Sequence, residues 1–113
     1  MNASDELGEP SVKAHVEAGV CRFGCYISAY LIDGKVRFEI ESECPSVRKF
    51  NDALGDVEPF SALKMPYFEN KVFGIAGEIL SHATCPLPIA VIKCVEVASG
   101  LALARDVSIE FSL

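Results

Sequence analysis

The chain predicts an α+β fold: an antiparallel three- to four-stranded sheet in the order β-β-β-α-α-α-β, with the helices packed on one face. Three observations carry this. Apolar residues recur at every second position near the start and again at the end of the chain. An Asp33-Gly34 pair, the commonest short hairpin signal, separates two of these runs. Between them and the last run lie segments of helical period that open on proline and close on glycine.

In order, Val12, Ala14, Val16, Ala18 and Val20 alternate with Lys13, His15 and Glu17, which marks a strand with one wet face. Gly19 and Gly24 bracket a bend that holds Cys21 and Cys25. A second strand follows over 26–32, and Val36, Phe38 and Ile40 alternate with Arg37, Glu39 and Glu41 as a third. Cys44-Pro45-Ser46 opens a helix whose apolar stripe is Val47, Phe50 and Leu54, and Gly55 ends it. Residues 56–70, with Pro59 and Pro66, show no period and read as an irregular connection. Val72, Ile75, Ala76, Ile79 and Leu80 mark a second helix ending near Ser81-His82. Thr84-Cys85-Pro86 starts a third, apolar almost all round and therefore buried, which Gly100 ends. Val107, Ile109 and Phe111, alternating with Ser108, Glu110 and Ser112, predict a final strand.

A length of 113 residues suits one domain with a real core. Residues 1–10, polar and acidic, read as a disordered tail before a single domain over 11–113. That tail is the opposite of a secretory signal, and no apolar run approaches the roughly 20 residues needed to cross a bilayer, so the expectation is a cytoplasmic protein without a membrane partner. The net charge of −6, with its basic residues scattered, argues against nucleic acid as a partner. A homodimer or a protein partner, through the apolar third helix or the edge of the last strand, is the kind of association the pattern allows. There is no Gly-rich phosphate loop and no acid–base pair; Asp33 reads as a turn residue and Lys93 as a solvent-reaching helix residue.

The chemistry lies in the five cysteines. In a reducing cytoplasm, spaced cysteines favour metal binding or redox chemistry over a disulfide framework. A meander puts the bend after the first strand and the end of the third strand at the same end of the sheet, which gathers Cys21, Cys25 and Cys44. If the third helix runs down and the last strand returns up, Cys85 joins them. Cys44 and Cys85 lie at helix starts, where backbone N–H groups and the helix dipole favour a thiolate. In a straight strand, residues four apart lie about 13 Å apart, so Cys21 and Cys25 share a site only if Gly24 tightens the bend. Cys94, nine residues after Cys85, falls on the far side of its helix and reads as core. His82, three residues before Cys85, is either a ligand or a histidine favoured at a helix C-terminus.

Four thiolates, Cys21, Cys25, Cys44 and Cys85, with His82 as substitute or outer partner, suit either zinc or an iron–sulfur cluster. Two other readings stand beside this one. One is a thiol-redox protein using Cys85 or Cys44 as a helix-capped nucleophile; the other is a small interaction domain whose cysteines are simply buried.

The stretches Cys21-Arg-Phe-Gly-Cys25-Tyr-Ile-Ser-Ala, Ser42-Glu-Cys44-Pro-Ser-Val and His82-Ala-Thr-Cys85-Pro-Leu-Pro-Ile-Ala resemble the iron–sulfur scaffold fold of the IscU and N-terminal NifU proteins. The likeness covers about residues 12–100 and lies in the order of elements and the placement of cysteines. It implies cluster or metal binding by Cys21, Cys44 and Cys85. The scaffold's first motif is Cys-Gly-Asp, where this chain has Cys21-Arg22-Phe23, and its His adjoins the Cys, where two residues intervene here. Cys25 adds a fourth thiolate, which suits a retained group better than one handed on. The chain is also similar to a group of short uncharacterised proteins of anaerobes and methanogens with a Cys-Pro-x-Pro helix start.

Overall fold

The computed structural model describes residues 8–113. Three antiparallel strands, β1 (Val12–Val16), β2 (Cys25–Ile32) and β3 (Lys35–Ser42), form a meander in the order β1-β2-β3. Asp33 (φ 51) and Gly34 (φ 79) both take left-handed backbone, the signature of a type I′ turn, whose twist matches that of the flanking strands. The turn sets Ile32 opposite Lys35, and the register runs unbroken to Cys25 opposite Ser42. On the other side of β2, Val16 lies opposite Cys25.

This register puts Cys25, Ile27, Ala29, Val36, Phe38 and Ile40 on one face, all buried. Lys13, His15, Tyr26, Arg37 and Glu41 alternate onto the other, where the His15 and Tyr26 rings stack at 4.4 Å. Four helices cover the apolar face: α1 (Pro45–Leu54), α2 (Pro59–Leu63), α3 (Lys71–Ile79) and α4 (Leu87–Ala98). α1 packs on β3 and α3, while α4 packs on β1 and β2. Phe50 and Leu54 from α1 and Leu87, Val91 and Val95 from α4 close the core against Ile27 and Val36. The α+β class is as the sequence predicts.

Four elements depart from the sequence reading. The first strand, expected to run to Val20, ends at Val16, and Gly19–Cys21 turn as a 3-10 helix instead of continuing it. The connection over 56–70 is more ordered than expected: it holds α2 and a 3-10 turn, Tyr67–Glu69. The Glu58 carboxylate starts α2 by accepting the N–H groups of Phe60 and Ser61, a cap too local to leave a periodic pattern. The third long helix begins at Leu87, so Cys85 precedes it instead of forming its first turn. The expected final strand over 107–112 does not pair with the sheet; residues 101–113 are an arm without helix or strand, exposed along its whole length. Alternation makes a segment competent to pair but does not supply the edge it pairs with. Of the expected tail, residues 1–7 lie outside the described residues; 8–10 precede β1 without regular structure.

Among the described residues Asn70 is the buried polar side chain that ties the helical layer together. Its Oδ1 accepts the N–H groups of Val72 and Phe73 at the start of α3, while its Nδ2 donates to the carbonyls of Ala62 and Lys64. Truncation would leave buried donors and acceptors unpaired, at a cost of about 1–3 kcal/mol. Asn70→Ala is therefore expected to lower the unfolding free energy measured in urea by that much, and Asn70→Asp, which keeps the cap but loses the Nδ2 donors, to fall between it and the wild type. Equal midpoints for Asn70→Ala and wild type would remove this role.

Candidate functional site

Three cysteine-bearing segments meet at the end of the sheet opposite the Asp33-Gly34 turn. The first is the β1–β2 bend. It carries a 3-10 turn, Gly19–Cys21, closed by Arg22 in left-handed backbone whose N–H donates to the Gly19 carbonyl. Gly24 brings the chain back: a Cβ there would lie 3.0 Å from the Val16 carbonyl oxygen, so any other residue would crowd the close approach that delivers Cys25 to β2. The second segment is the step from β3 into α1, with Cys44 as the residue capping α1. The third is the turn between α3 and α4, where the Cys85 N–H donates to the His82 carbonyl at 3.3 Å.

Serines fasten these segments together. The Ser42 hydroxyl donates to the Gly24 carbonyl at 2.9 Å and accepts the Cys44 N–H at 3.1 Å, so one side chain joins the neighbour of Cys25 to Cys44. Arg48 Nε donates to the Ser42 carbonyl at 2.9 Å and pins the strand end to α1. The hydroxyls of Ser46 and Ser81 lie 3.1 Å apart, holding the turn that bears His82 and Cys85 against the first turn of α1. The sequence reading passed over all three serines. Ser42, two residues before the helix cap, had the position of a side chain that bonds to a nearby backbone N–H, but its bond to Gly24 needs the folded sheet.

All five cysteines are free thiols. Cys25 is buried on the sheet's inner face, Cys44 and Cys85 are half-buried, and Cys21 is exposed. Cys94 is buried in the core beneath α4. Burial pushes the Cys25 thiol up to about 11, and the charges that Cys85, Cys94 and Cys44 would carry if ionised push it the same way. Burial also raises Cys85; the Leu87 N–H opposes this by hydrogen bonding to its sulfur, and Cys21 and Cys44 add to the rise. Cys94 is pushed up to about 11 by burial. Cys85, Cys94 and Cys44 are thus electrostatic neighbours of Cys25, and Cys21 and Cys44 of Cys85.

They are not yet a coordination sphere. Among the described residues no group of three or more His, Cys, Asp or Glu side chains is spaced to hold a single metal ion as it stands. Cys25 and Cys44 sit on the ends of regular elements, whereas Cys21 and Cys85 sit in turns. The bend that carries Cys21 is not packed down: Val20 beside it is 99% exposed. His82 is exposed. Glu17, Arg22, Phe23, Tyr26 and Glu43 line an open groove of about 770 Å³ that runs past the bend and has no cysteine in its wall.

The raised thiols set the response of stability to alkali. The native chain keeps protons on Cys25 and Cys94 up to about pH 11, whereas an unfolded thiol releases its proton near the ordinary value of 9.0. Their contribution to stability is complete below pH 9 and is lost as pH rises through 11, at about 1 kcal/mol per pH unit for each. In urea titrations from pH 8 to 11, Cys94→Ala is expected to flatten this decline as well as lower stability overall. An unchanged slope would show that Cys94 titrates as an ordinary thiol.

Among the described residues no helix is long and apolar enough to cross a membrane. No curated protein and no solved structure matches the chain closely enough to count as a relative. One family model does match, over residues 12–111, from the first strand through the helices and almost to the end of the arm. The chain therefore belongs to the family described as "Family of unknown function (DUF6951)".

Proposed function

We propose that this is a metal- or iron–sulfur-cluster-binding protein of the reducing cytoplasm, with Cys21, Cys25, Cys44 and Cys85 as its ligands. The observation that carries the reading is the serine-fastened meeting of three segments that bring four cysteines to one end of the sheet. The likeness to the IscU and N-terminal NifU scaffold fold, with cysteines at the same three places in the order of elements, points the same way.

The electrostatics weigh against Cys85 as an activated redox or nucleophilic thiol. Activation of a thiol requires surroundings that lower its pKa. Here burial and the mutual repulsion of neighbouring thiolates raise Cys25 and Cys85. A bound cation reverses both effects, since it neutralises the charge that burial penalises and turns repulsion between thiolates into shared attraction. Cys25 and Cys44 would form the fixed half of the site. Ligation would draw Cys21 and Cys85 inward from their turns, with His82 near enough in sequence to Cys85 to substitute or to support it. A four-thiolate set accepts either zinc or an iron–sulfur cluster. Cys25 has no counterpart in the scaffold pattern and suits a group that is kept.

The test is anaerobic purification followed by elemental analysis and visible absorbance. The expected result is about one zinc per chain, or iron with sulfide and a thiolate-to-iron absorption band. Cys25→Ser combined with Cys44→Ser should lose the metal. Protein without zinc or iron that also takes up neither on reconstitution overturns the proposal, and one thiol alkylating far faster than the rest would favour redox chemistry instead.

A further inference from the structure

The two edges of the sheet are treated differently. The outer edge of β3 is covered: Val36 and Val57 exchange backbone hydrogen bonds of 2.9 and 2.8 Å, and the Ile40 N–H donates to Asn51 Oδ1 on α1. Among the described residues β1 is hydrogen-bonded on one side only, to β2. Its core-facing side chains, Val12, Ala14 and Val16, are only half-buried although α4 packs over that strand. An open, partly apolar edge of this kind is a template for another strand.

The same chain carries a segment of the matching kind. The arm presents Val107, Ile109 and Phe111 at every second position, and Ile109 and Phe111 are 83% and 88% exposed. Successive large apolar side chains left in water mark an interaction surface. The arm leaves α4 through Gly100 (φ 75), with the Leu101 N–H bonded back to the Glu96 carbonyl, and a further turn joins Arg105 to Leu103. Past these turns every residue is exposed, so the arm does not cover its own sheet edge.

We propose that residues 105–113 add as an antiparallel fourth strand to the β1 edge of a second copy of this chain, and that reciprocal exchange of the two arms makes a two-fold dimer. With Ile109 opposite Ala14, Phe111 meets Val12 and Val107 meets Val16, so the apolar side chains of the arm complete the half-buried row on the helix side. The same register sets Glu110 opposite Lys13 and Ser108 opposite His15 on the open face, which pairs opposite charges. A symmetric exchange closes on itself and leaves neither arm nor edge unpaired, whereas one-way addition would propagate.

Sedimentation velocity on the full chain tests this. The wild type is expected to be a dimer with amides in both β1 and 107–111 protected from hydrogen exchange. Ile109→Asp combined with Phe111→Asp, at positions that do not contribute to the core, should give a folded monomer. Lys13→Glu or Glu110→Lys alone should raise the dimer dissociation constant about tenfold, through two symmetric contacts, and the two together should restore it. A monomeric wild type overturns the proposal whether its arm is protected, as self-docking requires, or unprotected. A dimer that survives the double aspartate variant overturns it as well, since the interface then lies elsewhere.

Discussion

The register between β2 and β3 is the constraint on which the rest depends. Because strand side chains alternate with a period of two, a slip by one residue would carry Cys25, Ile27 and Ala29 together to the wet face. The slip is blocked at the hairpin, where Asp33 and Gly34 both adopt left-handed backbone and allow one closure, Ile32 opposite Lys35. At the other end of the ladder, that closure sets Cys25 against Ser42 and aims its sulfur at the helices. The burial that raises its pKa is thus fixed by a turn at the far end of the sheet, and so is the position of Ser42, whose hydroxyl joins the β1–β2 bend to α1.

The site balances two opposed demands. Close approach of several sulfurs is what a metal needs, and it is also what makes each harder to ionise in the metal's absence. The four cysteines are held unequally. Cys25 and Cys44 are held by sheet register and by a helix start, while Cys21 and Cys85 stand in turns, closed by Arg22 to Gly19 on one side and by Cys85 to His82 on the other. Such a division keeps the Cys25 thiol protonated inside the core, and leaves Cys21, on its exposed bend, the freest of the four to move.

Much of this was legible in the sequence because it is local. Alternation gave the three strands, Asp33-Gly34 gave the hairpin, and the sense of a meander brought Cys21, Cys25 and Cys44 to one end without any knowledge of packing. The place of Cys85 was reached by a poorer route. It was argued from a final strand returning to the sheet, which does not form; what holds it there is the contact of Ser81 with Ser46, between residues far apart in the chain. The same kind of information was missing for α2, whose five residues are too few for a period and which rests on the Glu58 cap and the Val57 bridge to β3. Asn70 reads in sequence as one more polar loop residue; its four hydrogen bonds exist only once Ala62, Lys64 and α3 have been brought around it.

The unpaired arm and the cysteine site look like separate matters, but they share β1. Val16, the last residue of that strand, pairs with Cys25, and its carbonyl is the surface on which Gly24 closes the bend. The bend carrying Cys21 therefore departs from a strand that, among the described residues, is held by hydrogen bonds on one side only. An edge strand frays more readily than a central one, because each of its residues makes half the ladder bonds. Any strand laid along β1 would remove that freedom at Val16 and so narrow the range of positions open to Cys21. The part of the sheet least finished by its own chain is then the part from which the most exposed thiol of the site is hung.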